Sequence, residues 1–195
     1  MKYCTNTKKL LRTASNKRLL LIAIIFVTSI YQPPSHAVIS LEHKVKAAYI
    51  FKMLKFIEWK NDSQDSSSAN NLNICVVGSG PIVEAIGLLD SKKAKGQPIS
   101  VNNKSAADNL ESCQIVFVAR SEHNNIKSIL SKTSPKTNLT ISDIDGFARS
   151  GGMVELALIE NKVKLVINLI KTNNSLIQFS SKLLNIAILI DKNGN

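Results

Sequence analysis

The sequence predicts an α/β domain built as a three-layer sandwich, in which a largely parallel sheet carries an antiparallel C-terminal hairpin. Short, fully apolar runs alternate with helix-like segments along the chain, and such runs are typical of strands buried on both faces. Near the C-terminus two apolar runs, Met153–Ile159 and Val163–Asn168, are separated only by a short polar turn, as in a β-hairpin. Alternating strands and helices followed by a hairpin are typical of three-layer packing.

The first 37 residues predict a cleaved secretory signal peptide. They carry six basic residues and no acidic ones, and the apolar run Leu19–Ile30 follows the basic part. Ser35 and Ala37 are small residues at the −3 and −1 positions, which predicts cleavage before Val38. A run of this length spans about 18 Å as a helix, less than the roughly 30 Å of a bilayer core, which disfavours a membrane anchor. We therefore expect residues 38–195 to form a single domain outside the cytoplasm, without membrane insertion after cleavage.

The first element of this domain is predicted to be a helix over Leu41–Trp59. At helical spacing Lys44, Lys52 and Lys55 share one face, while apolar side chains occupy the other directions. This pattern favours a helix packed on the sheet with its lysines solvated. The alternative is a basic helix at a membrane surface.

The remaining elements are predicted from apolar runs and turn residues. A polar loop, Asn61–Asn71, precedes them, and Pro81 suits the first turn of a helix because a proline lacks the N–H that would be unpaired there. The predicted strands are Leu72–Val77, Pro98–Val101, Ile115–Ala119 and Asn138–Ser142, and the predicted helices are Ile82–Leu89, Asn124–Leu130 and Ser180–Leu189.

Charge and composition exclude several functional classes. The net charge is +11, but without residues 1–37 the chain has 19 basic and 14 acidic residues, or +5. The small cluster Lys92–Lys95 lacks interleaved aromatic residues, so we expect no nucleic-acid partner. With 44% hydrophobic and 20% charged residues, the chain is neither disordered nor a multi-span membrane protein.

Two cysteines, Cys75 and Cys113, remain after signal removal, and each adjoins a predicted strand. An even number in an oxidising compartment favours one intramolecular disulfide, which the chain-entropy model values at roughly 3–4 kcal/mol. Two buried free thiols are the alternative. A metal site is disfavoured because His43 and His123 show no ligand spacing with either cysteine.

The first candidate ligand site is the turn Gly78-Ser79-Gly80, which lies between a strand and a helix. Such turns present backbone N–H groups to phosphate and other anions. The dinucleotide fingerprint is incomplete, because Glu84 stands where the third glycine is required. An ordinary β–α turn is therefore favoured, with an anion site as the alternative.

The second candidate site comprises Ser142, Asp143, Gly146 and Phe147, in a polar segment that directly follows a predicted strand. Open α/β sheets often place ligand sites at the ends of strands. Asp143 and Asp145 could hold a cation, but the further ligands of a calcium loop are missing. A surface loop ordered by local hydrogen bonds is the favoured interpretation, with ligand or partner recognition as its rival. Phe147 is expected to be an exposed aromatic contact for a partner.

No catalytic motif stands out. The sequence has neither a G-x-S-x-G elbow nor a recognisable Ser–His–Asp order. We therefore expect a non-enzymatic protein that needs no cofactor and no metal.

Five stretches, in their order along the chain, resemble the YfiR-like family of periplasmic regulatory proteins. The most specific are the A-A-Y-I-F-K segment of the first helix and the I-S-D-I-x-G-F segment that includes the second candidate site. The matching stretches are Val45–Trp59, Leu72–Gly78, Cys113–Ala119, Leu139–Leu169 and Ser180–Ala187.

This resemblance implies a periplasmic protein that represses a membrane-bound diguanylate cyclase by binding its periplasmic sensing domain, and so controls cyclic-di-GMP and biofilm formation. The family's cysteines fall on Cys75 and Cys113, which implies a disulfide there. The second cysteine pair of some relatives has no counterpart in this chain. Relatives also accompany histidine kinases or transport systems, so a small-ligand-binding sensor module is the alternative. A homodimer is compatible with either role.

Overall fold

A computed structural model describes residues 40–60 and 71–191. The predicted signal peptide, its cleavage site and nearly all of the predicted polar loop therefore lie outside the described residues. Within the two described ranges, no helix combines the length and the apolar character that crossing a bilayer requires.

The first helix, α1, is shorter than predicted. It spans Leu41–Met53, begins at the N-cap Ser40, and continues into a 3-10 turn over Leu54–Phe56 and then a strand, β1, over Ile57–Trp59. The predicted end at Trp59 is wrong because β1 pairs with a strand far along the chain, a contact that helical spacing does not reveal.

The other described elements alternate between strands and short helices, with a 3-10 helix over Arg120–Asn125. In chain order they are β2 Leu72–Val77, α2 Pro81–Gly87, β3 Lys93–Ala94, β4 Gln97–Lys104, β5 Ile115–Val118, α3 Ile126–Leu130, β6 Leu139–Ser142, β7 Val154–Ile159, β8 Lys162–Asn168, α4 Leu169–Asn173, β9 Ile177–Phe179, α5 Ser181–Leu184 and β10 Ile188–Ile190.

Eight of these strands form one mostly parallel sheet in the order β10-β8-β7-β6-β5-β2-β4-β3. Its antiparallel pairs are β7–β8 and β3–β4, and β1 pairs with β9 in a separate antiparallel ribbon. The predicted fold class and C-terminal hairpin are confirmed. In the hairpin turn Glu160 and Asn161 both have positive φ, as a two-residue turn between twisted strands requires.

The predicted helix Ser180–Leu189 is wrong over its second half. Helix α5 ends at Leu184, and β10 then pairs in parallel with β8, with Ile188 opposite Val166. The hairpin is therefore covered by β10 and does not form the sheet edge. Short apolar runs of this kind fit a buried strand as well as a helix, so periodicity alone does not separate them.

The sheet has a buried core on each face. On one face α1 and α2 pack over apolar side chains such as Ile74 and Phe117. On the other face α3 and the loop after β6 cover Val116, Val118 and the two cysteines. The predicted disulfide between Cys75 and Cys113 is present in this second core, with the two Cα atoms 5.8 Å apart. It fastens β2 to the segment that leads into β5.

Candidate functional site

A pocket of about 490 Å³ opens at the carboxyl ends of β2, β5 and β6. This is the edge at which open α/β sheets commonly bind ligands. Ser79 and Gly80 line it from one side and Asp143 from the other, so the structure brings together parts of both predicted candidate sites. We call it the polar pocket, because its charged lining consists of Glu42, Lys46, Arg120, Asp143 and Asp145.

A buried ion pair forms the floor of the polar pocket. Lys46 is only 1% exposed, and its Nζ lies 3.1 Å from Oδ2 of Asp143 and 2.6 Å from Oε1 of Glu42. This contact joins α1 to the end of β6. The hydrogen bond from Lys46 lowers the pKa of Glu42 below its ordinary value and outweighs the opposing effect of desolvation.

Sequence reasoning missed Lys46, although a signal was available. Lys46 lies at helical spacing with Ile50 and Met53, on the stripe of α1 that faces the core. A lysine in such a stripe requires a buried partner. The sequence does not reveal that the partner is Asp143, 97 residues away.

Arg120 is the second cation of the polar pocket, and it follows β5 directly. Its Nη1 and Nη2 donate to the two carboxylate oxygens of Asp145 at 3.2 and 3.3 Å, and Nη2 also donates to the main-chain oxygen of Asp143 at 2.7 Å. Desolvation disfavours the charged guanidinium, but the hydrogen bond to Asp145 and the attraction of nearby carboxylates outweigh it and raise the pKa of Arg120. Arg120 thus holds the loop after β6 against the end of β5.

The turn at Gly78, Ser79 and Gly80 is closed by its neighbour Ser121. The N–H of Ser79 donates to Oγ of Ser121 at 2.9 Å, so this donor is already used within the protein. Gly78 has a φ of +104°, and a Cβ there would lie 2.5 Å from the same oxygen. The close approach explains the glycine and supports the β–α turn interpretation over an anion site.

The expectation that Phe147 is exposed is wrong. Its ring is fully buried in the second core, where a Cβ on Gly152 would overlap it. The carboxylate of Glu155 accepts hydrogen bonds from the N–H groups of Gly146 and Ala148, both at 3.1 Å, and so closes the loop around this ring. Phe147 therefore anchors the loop through its buried ring.

Ser142 is also buried and has a structural role in the same loop. Its Oγ donates to the main-chain oxygen of Val118 at 2.6 Å and accepts from the N–H of Ile144 at 3.0 Å. Of the predicted site residues, Ser79, Gly80 and Asp143 therefore line the polar pocket, whereas Ser142, Gly146 and Phe147 order the loop that carries Asp143.

An apolar groove of about 780 Å³ lies beside the polar pocket, between α1 and the β7–β8 hairpin. Leu41 and Ile186, which are 77% and 67% exposed, line it together with Leu158. Lys162 and Lys164 give it a basic rim, and Glu42, the acidic residue among the described lining, is paired with Lys46. We call this surface the apolar groove. Large apolar side chains that cluster at the surface mark interaction sites more often than isolated ones do.

The two surfaces offer different kinds of contact. Within residues 40–60 and 71–191, no three His, Cys, Asp or Glu side chains are grouped so that they could hold a metal ion. The polar pocket offers fixed charges and one apolar wall, and the apolar groove offers hydrophobic contact with a basic border.

Comparisons with known proteins place this geometry in context. A family model described as YfiR/HmsC-like matches residues 43–188. A crystal structure of a conserved domain protein from Vibrio cholerae O1 biovar El Tor strain N16961 matches with a TM-score of 0.54 and 13% identity. The match covers 75% of this chain and 59% of that one, and at this identity it supports the fold alone. No curated protein matches the chain.

Proposed function

Because the chain belongs to the YfiR/HmsC-like family, a periplasmic regulator family of diguanylate cyclase systems, we propose that it represses a membrane-bound diguanylate cyclase. It does so by binding the periplasmic sensing domain of that enzyme, and thereby limits cyclic-di-GMP and biofilm formation. The observation that carries the proposal is the family match over residues 43–188, which spans nearly all of the described structure. The family is regulatory and acts through contacts with signalling proteins.

We assign the contact with the cyclase to the apolar groove. Leu41 and Ile186 expose most of their apolar surface there, and burial of such side chains is the main favourable term in protein association. Lys162 and Lys164 flank them, so the complementary surface combines an apolar centre with an acidic border. The expected occupant is therefore an acidic-rimmed apolar segment of the sensing domain.

A genetic experiment tests repression. Deleting the gene should raise cellular cyclic-di-GMP and biofilm mass. Expressing the protein from a plasmid should restore both to their wild-type levels. The variant Ile186→Asp places a charge in the apolar groove and should fail to restore them. Leu88→Asp is a matched control, since Leu88 is 59% exposed but does not line the groove. An unchanged cyclic-di-GMP level after deletion contradicts the proposal.

A binding experiment tests the surface directly. The purified protein is titrated with the purified periplasmic domain of the candidate cyclase, and Ile186→Asp should weaken the affinity at least about tenfold, since central apolar contacts dominate interfaces. Leu88→Asp should bind as the wild type does. Added salt should slow association, because the lysine rim acts through screened charges. Equal affinities for both variants would exclude the apolar groove as the contact.

A further inference from the structure

The buried carboxylate of the polar pocket has one oxygen without a partner. Asp143 is 3% exposed, and its Oδ2 accepts a hydrogen bond from Lys46 at 3.1 Å. Its Oδ1 accepts no hydrogen bond from any residue in the described part of the chain. Buried carboxylate oxygens in folded proteins almost always accept one. Because Asp143 lines the polar pocket, a molecule in that pocket can supply the missing donor.

The charges around the polar pocket favour a cation as that molecule. Among the lining residues that the structure describes, the carboxylates of Glu42, Asp143 and Asp145 outnumber the lysine and arginine side chains, Lys46 and Arg120, by one. Both cations already contact carboxylates of the pocket at 2.6–3.3 Å. An anion would therefore meet no unengaged positive group there, whereas a monocation would balance the lining charge.

We propose that the polar pocket binds a small molecule that carries a protonated primary amine. Its ammonium N–H donates to Oδ1 of Asp143, and its alkyl part lies against Ile82 and Leu158, which line the same pocket. The volume of about 490 Å³ lies within the range of about 300–1,000 Å³ that is typical of small-molecule sites. This site adjoins the apolar groove, with which it shares Glu42 and Leu158, but the inference does not depend on the proposed contact with the cyclase.

Thermal unfolding of the purified protein with four small probes tests the proposal. n-Butylamine carries both the charge and the N–H donors, tetramethylammonium carries the charge alone, n-butanol is a neutral donor, and butyrate is an anion. At equal ionic strength, butylamine at about ten times its Kd should raise Tm by about 3–6 °C, and each further tenfold rise in its concentration should add a similar step. The other three should leave Tm unchanged. An equal rise with tetramethylammonium, or no rise with butylamine, overturns the proposal.

A variant and a mapping experiment locate the site. Asp143→Asn should abolish the butylamine shift, whereas Glu111→Gln, at an exposed carboxylate outside the polar pocket, should keep it. Because Asp143→Asn disturbs a buried ion pair and could unfold the protein, amide chemical shifts of the wild type provide a second measurement. Butylamine should move the amide signals of Gly80, Arg120 and Asp143. Saturable changes confined to another surface would refute the assignment.

Discussion

Replacing Lys46 by methionine tests whether the buried ion pair holds α1 to the sheet. Methionine keeps the length of the side chain but removes the ammonium that lies 3.1 Å from Oδ2 of Asp143. At an effective dielectric constant of about 20, attraction across that distance is about 5 kcal/mol, before the cost of desolvating both groups. Removing one partner of a buried pair costs about 3–5 kcal/mol, because the other charge stays buried alone. We expect a loss of that size in the free energy of unfolding.

A double-mutant cycle separates the ion pair from simple packing. Lys46→Met/Asp143→Leu leaves no buried charge uncompensated, so its stability should return to within about 2 kcal/mol of the wild type. Lys44→Met is the matched control, because Lys44 is exposed on the same helix and should cost no more than about 0.5 kcal/mol. Urea unfolding followed by circular dichroism gives the five free energies required, those of the wild type, Lys46→Met, Asp143→Leu, the double variant and the Lys44→Met control.

Two results would refute this reasoning. Lys46→Met could prove as harmless as Lys44→Met, which would mean that solvent or rearrangement compensates the Asp143 carboxylate. Alternatively, the double variant could be no more stable than Lys46→Met, which would assign the loss to side-chain packing on α1. Either result would also argue against the arrangement of charges described for the polar pocket, because the contact with Lys46 orients Asp143.

Three further predictions concern the cores and the surface. Replacing Cys75 and Cys113 by alanine should lower the free energy of unfolding by about 4 kcal/mol for the 38-residue separation, and in the wild type both should resist alkylation until reduced. Gly152→Ala should destabilise the protein by more than about 2 kcal/mol in urea unfolding, because its Cβ overlaps the Phe147 ring. The pKa of Glu42 is lowered on folding, so its carboxylate adds stability above the unfolded pKa, and this contribution is lost as the pH falls through the folded pKa. From about pH 6 to about pH 3, the wild type should therefore lose more stability than Glu42→Gln.

Gly152→Ala and Glu42→Gln each have a control variant that isolates the cause of the effect. Gly87→Ala adds a Cβ where no atom lies within 4 Å, so it should cost little compared with Gly152→Ala. Glu111→Gln removes an exposed carboxylate away from Lys46 and should follow the wild type as the pH falls. Rapid alkylation of the native, oxidised protein would contradict the disulfide prediction, and parallel acid curves for Glu42→Gln and the wild type would contradict the role of Glu42.

The central strands could be predicted from the sequence because each is a short run rich in β-branched residues, a composition that favours a strand over a helix. Ile115–Val118 and Leu139–Ser142 are examples, and their parallel pairing follows from the helices and loops between them. Ile57–Trp59 and Ile188–Leu189 fall within predicted helices but form strands, because their pairing partners are not close neighbours in the sequence. Local spacing has no information about such partners.

The candidate site could be predicted in outline but not in its contacts. Asp143 and the Ser79–Gly80 turn follow buried strands, and strand ends meet at one edge of a parallel sheet. The roles of Lys46 and Arg120 could not be predicted, because they depend on pairing with residues that are distant in sequence. Phe147 is expected at the surface as an aromatic contact for a partner, whereas an isolated aromatic residue in a polar loop can equally anchor that loop through a buried ring.

The ribbon of β1 and β9 affects the order in which the protein can be completed. It pairs Ile57 with Phe179 and Trp59 with Ile177, so its two halves are about 120 residues apart in the chain. A polypeptide that emerges from a ribosome or a translocation channel exposes its N-terminal part first. The strand β1, which follows α1, must therefore wait without its partner until β9 has emerged. An early part of the described chain is thus among the last to be completed, and such distant closures are the slow part of folding.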